Sequence, residues 1–198
     1  MSTSDFVIKR IFDIIISGVG IILFTPLMLV CWLAASIETR SNGLFVHKRV
    51  GRCGAIIDVY KIRTMHSRGV NLSPLASENA KYISRTGAFF RRYKLDELPQ
   101  LFNVFSGSMS IVGPRPDVPN YADCLQAEDR IILLMRPGIT GPASIKYKNE
   151  EAILKAAENP VLLNDTVIWP DKVRINRRYY ENYSFRADIQ YILQTLFK

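Results

Sequence analysis

The run IIISGVGIILFTPLMLVCWLAASI, residues 14–37, decides how this chain is read. It holds no charged side chain, and as a helix it would reach about 36 Å, enough to span a bilayer with some tilt. Few soluble cores bury a helix so long and so uniformly apolar. A cleaved leader fits poorly, because the run exceeds a usual apolar leader segment and Ala34-Ala35-Ser36 makes a weak cleavage site. Pro26, preceded by Thr25, stands near its middle. Proline removes a helix hydrogen bond and pushes the residue before it away from helical geometry. Two halves of about 12 residues would each reach only about 18 Å. Basic residues flank both sides: Lys9 and Arg10 before the run, Arg40, Lys48, Arg49 and Arg52 after it. The positive-inside rule then favours the cytoplasm for both ends. A re-entrant helix broken at Thr25-Pro26 satisfies both facts; a kinked single span is the competing form.

Outward from that run the chain is basic. Among 198 residues, 26 are Lys or Arg and 18 are Asp or Glu, a formal net charge of +8. Such an excess points to an anionic partner: lipid headgroups, nucleic acid or a phosphorylated small molecule. Hydrophobic residues make up 48% of the chain, which excludes a disordered one. Cys31, Cys53 and Cys124 form neither a disulfide framework nor a metal spacing, and His47 and His66 are too few for a catalytic zinc site.

After the apolar run, LFVHKRVG, a turn at Arg52-Cys53-Gly54 and AIIDVYKIRTM read as a strand pair, with Lys61 and Arg63 on one face. Residues 66–87 are polar and read as a long loop or partly helical lid. In KLDELPQLFN, residues 94–103, Pro99 belongs to a first helical turn, so a helix starts near Asp96 and stops at Gly107. Asp96 and Glu97 would then sit at a helix N-terminus, which lowers a carboxylate pKa. Capping alone would explain one acid there. Two acids beside Arg91, Arg92 and Lys94 suit a hard divalent cation held together with substrate phosphates, and an ionised Asp can also act as a nucleophile.

Pro114-Arg115-Pro116 fixes one guanidinium between two prolines, a geometry suited to bidentate phosphate binding. Arg136-Pro137-Gly138-Ile139-Thr140-Gly141 is a second such turn, read either as phosphate-binding through Arg136 or as structural. The C-terminal part reads as two helices joined near residues 182–184. Phe185, Ile189, Ile192, Leu193 and Leu196 form an apolar stripe, for packing or for the membrane interface.

The order of these pieces resembles a known family. A proline-broken apolar segment is followed by RVGRCG, VYKIRTM, KLDELPQLFNVFSGSMSIVGPRP, RPGITG and RRYYENYSF. That order is similar to the bacterial sugar transferases, the small monotopic phosphoglycosyl transferases, over nearly the whole chain. The resemblance implies transfer of a sugar 1-phosphate from a nucleoside diphosphate sugar, expected to be a UDP-sugar, to undecaprenyl phosphate. It implies Asp96 as nucleophile, Glu97 as the Mg²⁺ ligand, and Lys61, Arg91 and Arg115 as phosphate-binding residues. It also raises the re-entrant form at Thr25-Pro26 above the kinked span. Pro142-Ala143-Ser144-Ile145 and the insertion-like residues 146–170 depart from the family pattern and leave the sugar and the nucleotide base open.

The expected fold is α+β and mostly helical. A re-entrant membrane helix hairpin occupies residues 1–42, and a catalytic domain with C-terminal amphipathic helices occupies 43–198. The expected setting is the cytoplasmic face of the bacterial inner membrane, with membrane lipids as partners, no nucleic acid, and a homodimer left open. The rival reading is a membrane-anchored binding module for anionic lipid or nucleic acid. Metal dependence separates the two, because a chelator stops an Mg²⁺ enzyme and spares simple charge binding.

Overall fold

The computed structural model describes residues 1–66, 82–119 and 121–197. Most of the loop expected over residues 66–87 lies outside the described residues. The fold class is the expected one, α+β and mostly helical.

Helix α1 (Thr3–Thr39) contains the whole apolar run and begins in a capping box between Ser2 and Asp5. It is long and apolar enough to cross a membrane by length and composition. The expected hairpin of two short helices is instead one helix with Pro26 inside it. A single proline takes away only its own donor, and the Thr25 hydroxyl donates to the Ile21 carbonyl at 2.6 Å beside the gap. Both ends of α1 are bonded to the rest of the molecule. Near the start, Lys9 is buried and pairs with Asp188 at 2.5 Å, where Tyr179 and Tyr183 also donate. Buried Asp13 accepts from the Ile111 amide at 2.9 Å. At the far end, Glu38 accepts from the Arg85 and Thr86 amides. Ile22, Leu23 and Phe24, near the middle, are exposed.

Strands β1 (Leu44–Val50) and β2 (Ile56–Ile62) form the expected antiparallel pair, in register Phe45 to Lys61 and His47 to Val59. Helix α2 (Arg85–Arg92) leads to a short 3-10 turn at Leu95–Glu97 and then to α3 (Gln100–Ser106). Gly107 ends α3 with φ 92°, a left-handed conformation that glycine adopts freely, as the sequence predicts. A second sheet pairs β3 (Ser110–Val112) with β4 (Gly138–Thr140) in parallel. Its backbones approach closely: a methyl group on Gly138 would sit 2.1 Å from the Gly113 nitrogen. Helix α4 (Pro142–Lys146) covers Pro142-Ala143-Ser144-Ile145, and α5 (Glu150–Ala156), α6 (Pro160–Leu163) and a π-helical turn at Asn164–Ile168 fill most of the insertion-like stretch. The two C-terminal helices, α7 (Trp169–Glu181) and α8 (Phe185–Phe197), fall where the sequence places them.

The main core joins Val50, Val59, Val104, Met109, Val112, Met135 and Val173, so the strand pairs, α3 and α7 share one interior. Cys31 and Ala35 of α1 pack with Ile62 and Phe90 in a smaller cluster. From the C-terminal stripe, Phe185, Leu193 and Leu196 are exposed, while Ile192 packs against the core.

Candidate active site

Lys94 takes a left-handed conformation with φ 57° and turns the chain into Leu95-Asp96-Glu97. The two carboxylates therefore precede α3 by one turn of 3-10 helix, and Pro99 caps α3. The expectation of a helix beginning at Asp96 is corrected by a few residues. Asn103 of α3, fully buried, fixes this turn against β2. Its amide donates to the Asp58 carbonyl at 2.6 Å and its carbonyl accepts from the Tyr60 amide at 3.0 Å. The residue after Tyr60 is Lys61, so Asn103 sets the distance between Lys61 and the acids.

Glu97 Oε1 accepts from Lys61 Nζ at 2.9 Å and from Arg115 Nη2 at 3.2 Å. Burial works to raise the Glu97 pKa, but the charges of Arg115 and Lys61 outweigh it and hold the carboxyl well below the usual range. Asp96 behaves oppositely. Burial first, and the Glu97 charge second, push its carboxyl up against the pull of Lys61, Lys94 and Arg91. This corrects the expectation of a lowered pKa at a helix N-terminus. The dipole acts on groups in the first turn, and Asp96 stands before it in a desolvated niche. Its Oδ1 is buried without a hydrogen-bond partner.

Lys61 and Arg115 are thus brought to the acids. Arg91 stands within the charge field of Asp96; its Nε donates to the Thr64 hydroxyl at 3.2 Å and its Nη1 lies 3.9 Å from Glu151. Arg136 is not brought there. Its Nε donates to the Gly107 carbonyl at 2.7 Å, past the C-terminus of α3, and its charged neighbours are Arg10, Arg52 and Asp13. The Arg-Pro-Gly turn therefore serves the close contact of β3 and β4 and the closing of α3, the structural alternative of the two readings.

Sequence reasoning missed three members of the site. Arg49, on the Lys61 face of the strand pair, is lowered to about 10 by burial and by Arg115. His47 is pushed down to about 4 by burial, then by Arg49 and Lys61, so it is neutral at pH 7. Its Nδ1 accepts from Arg49 Nη2 at 3.0 Å, since arginine can only donate. Asp117 follows the Pro-Arg-Pro turn, and burial pushes it up to about 6 against Lys172, Arg49 and Arg115. The alternation of His47 and Arg49 with Phe45 on β1 was the available signal for the first two.

Among the described residues, no group of three or more His, Cys, Asp or Glu side chains could hold a metal alone. The orphaned Asp96 Oδ1 beside Glu97 fits the other mode, in which one or two carboxylates and the substrate's phosphates share a Mg²⁺.

A buried carboxylate pair ringed by Lys61, Lys94, Arg91 and Arg115 suits the handling of phosphates, and the helix over it suits a membrane. A family model described as bacterial sugar transferase matches residues 4–198, and the chain belongs to that family. It is 30% identical to an uncharacterized sugar transferase of Haemophilus influenzae over 98% of this chain and 41% of that protein. It is 29% identical to the exopolysaccharide production protein ExoY of Rhizobium meliloti over 95% of this chain and 83% of that one. It is 32% identical to the undecaprenyl-phosphate galactose phosphotransferase of Salmonella typhimurium, over 95% of this chain and 39% of that one. The chain thus spans about two fifths of the Haemophilus and Salmonella proteins and most of ExoY.

Proposed function

We propose that this protein transfers a sugar 1-phosphate from a UDP-sugar to undecaprenyl phosphate through a covalent intermediate on Asp96. The observation that carries the proposal is the Asp96 carboxylate: buried, unbonded at Oδ1, and set against a Glu97 that Lys61 and Arg115 hold ionised. A poorly solvated carboxylate is an energetic cost in a binding module and an asset in a nucleophile.

In the first step Asp96 attacks the sugar-bearing phosphorus. The bond to the bridging oxygen breaks, and UMP leaves with that oxygen. In the second step a phosphate oxygen of undecaprenyl phosphate attacks the same phosphorus. The bond to Asp96 breaks, the carboxylate is restored, and the product is a polyprenyl diphosphate sugar. Lys61, Arg91 and Arg115 bind the phosphates, and the Asn103 bridge keeps Lys61 in register with the acids. Glu97, with Asp96, would hold Mg²⁺, which when bound neutralises charge on the phosphates.

In this reading both ends of α1 lie at the cytoplasmic face of the inner membrane. The support is that Lys9 and Asp13 near one end and Glu38 at the other are bonded to the same domain. The reaction is tested with the purified protein in vesicles carrying undecaprenyl phosphate and a panel of UDP-sugars, reading released UMP. Turnover that a chelator abolishes is expected; chelator-insensitive binding without UMP release would leave only the anion-binding module. Topology is tested by labelling single cysteines at positions 3 and 43 after replacing Cys31, Cys53 and Cys124. Both are expected on the cytoplasmic side, and a periplasmic position 3 would make α1 a kinked span.

A further inference from the structure

Asp117 has no part in the chemistry just described, yet it sits beside one of the phosphate-binding groups, Arg115. The turn that carries it is pinned at both ends. The Asp117 carbonyl accepts from the Val50 amide at 2.9 Å, and the Gly138 amide donates to the Pro114 carbonyl at 2.7 Å. Its carboxylate lies in the charge field of Lys172, Arg49 and Arg115 from α7, β1 and its own turn, with Glu150 of α5 opposing them. Each of those cations is engaged elsewhere. Lys172 pairs with Glu150 at 2.6 Å, Arg115 with Glu97 at 3.2 Å, and Arg49 with His47 at 3.0 Å. Among the described residues no donor lies within bonding distance of the Asp117 carboxylate. A rigid segment therefore presents a phosphate-binding guanidinium and, two residues on, an acceptor with nothing to accept.

Resting on the transferase reading above, we infer that Asp117 is a donor-recognition residue whose carboxylate accepts hydrogen bonds from hydroxyls flanking the diphosphate of the nucleotide sugar. A carboxylate beside Arg115 repels the phosphates themselves, so it can meet the donor only at an uncharged part. The diphosphate joins two polyols, the ribose and the hexose, and both carry hydroxyls close to the phosphorus atoms. A carboxylate's two oxygens offer four lone-pair sites, a match for adjacent hydroxyls. Three surrounding cations make a poor site for a further cation, which excludes a metal-binding role for Asp117.

The test compares two ligands of the whole chain in vesicles: the UDP-sugar as substrate and inorganic pyrophosphate as competing anion. Asp117→Asn is expected to raise the donor KM by about tenfold to a hundredfold, the range for a hydrogen bond to a charged group. kcat is expected to change far less. The pyrophosphate inhibition constant should stay the same or fall, since a negative charge has left the phosphate cluster. If Asp117 only balances nearby cations, the donor KM will instead fall or stay put, and that overturns the assignment. So does a pyrophosphate constant that rises in step with the donor KM. Should Asp117→Asn not fold, Asp117→Ser is read the same way.

Donors lacking a ribose hydroxyl or a hexose hydroxyl identify the source. The variant's penalty should vanish for one of the two, and a penalty that survives on both overturns the assignment. Wild-type turnover with an unmoved variant KM sinks this inference alone. Wild-type protein that releases no UMP from any UDP-sugar sinks the transferase reading and this inference together.

Discussion

The two ends of α3 are both surrounded by cations, and they do opposite things with them. At the C-terminal end, Arg10 donates to the Val104 and Phe105 carbonyls at 2.6 and 2.8 Å, and Arg136 donates to the Gly107 carbonyl at 2.7 Å. These donors bond carbonyls at and just past the last turn of the helix, where intrahelical donors run out, and they complement its negative pole. Before the N-terminal end, Lys61 and Arg115 converge on one oxygen of Glu97, and Asp96 is left with a buried oxygen and no donor. One end is closed; the other leaves a buried carboxylate oxygen without a partner. Arginines that look alike in sequence, each beside a proline, are told apart by whether their donors meet carbonyls or carboxylates.

The largest break in this comparison should come from Asp96→Asn. It keeps the shape of the turn and removes the nucleophile. UMP release is expected to fall by on the order of 10³-fold or more, as for other covalent catalysts. Near-normal release from the variant would remove Asp96 from the chemistry and leave the open end of α3 without a role.

A pair of matched substitutions sharpens the contrast between the ends. Arg115→Lys keeps the charge and loses the planar fork, so kcat/KM should drop about tenfold to a hundredfold with Tm little changed. Arg136→Lys should do the reverse. It loses a bond to the Gly107 carbonyl, costs about 1 kcal/mol, and lowers Tm by a few degrees while kcat/KM stays near wild type. Thermal melts and steady-state kinetics on both variants decide the matter. A kinetic defect in Arg136→Lys at unchanged Tm would return that residue to phosphate binding.

What the sequence revealed follows the same division. The β1–β2 hairpin, the Gly107 stop, α7 and α8 were legible because local periodicity and turn chemistry encode them. Asp96, Glu97, Lys61 and Arg115 were legible through residue type and resemblance, and the structure brings these four together. What stayed hidden depends on contacts distant in sequence. Lys9 and Arg10 read as charges flanking a membrane segment, whereas one is buried against Asp188 and the other closes α3. The parallel β3–β4 pair has three residues a strand, too few for a pattern. Asn103 looks like an ordinary helix residue until Tyr60 and Asp58 are placed beside it. The Asp96 pKa was misjudged in sign because a helix dipole can be read from sequence and desolvation cannot.

That sign yields the smallest effect, and one opposite in direction to the first. Asp96 has its folded-state pKa raised, chiefly by burial and then by Glu97. Between its unfolded and folded pKa values the native state therefore binds more protons than the unfolded chain. Stability falls as pH rises through that window, and the full cost is present above the folded pKa. Above its folded pKa the underbonded carboxylate thus opposes folding, and Asn in its place carries no charge to desolvate. Asp96→Asn should melt slightly higher than wild type at about pH 7.5, in chelator and without nucleotide, by no more than a few degrees. Lowering the pH to about 4, into the ordinary carboxylate range, should close the gap as wild-type Asp96 takes up its proton. A variant that melts below wild type at neutral pH, with the difference unmoved by acid, would mean that Asp96 is held by donors. The open end of α3 would then be as well satisfied as the closed one.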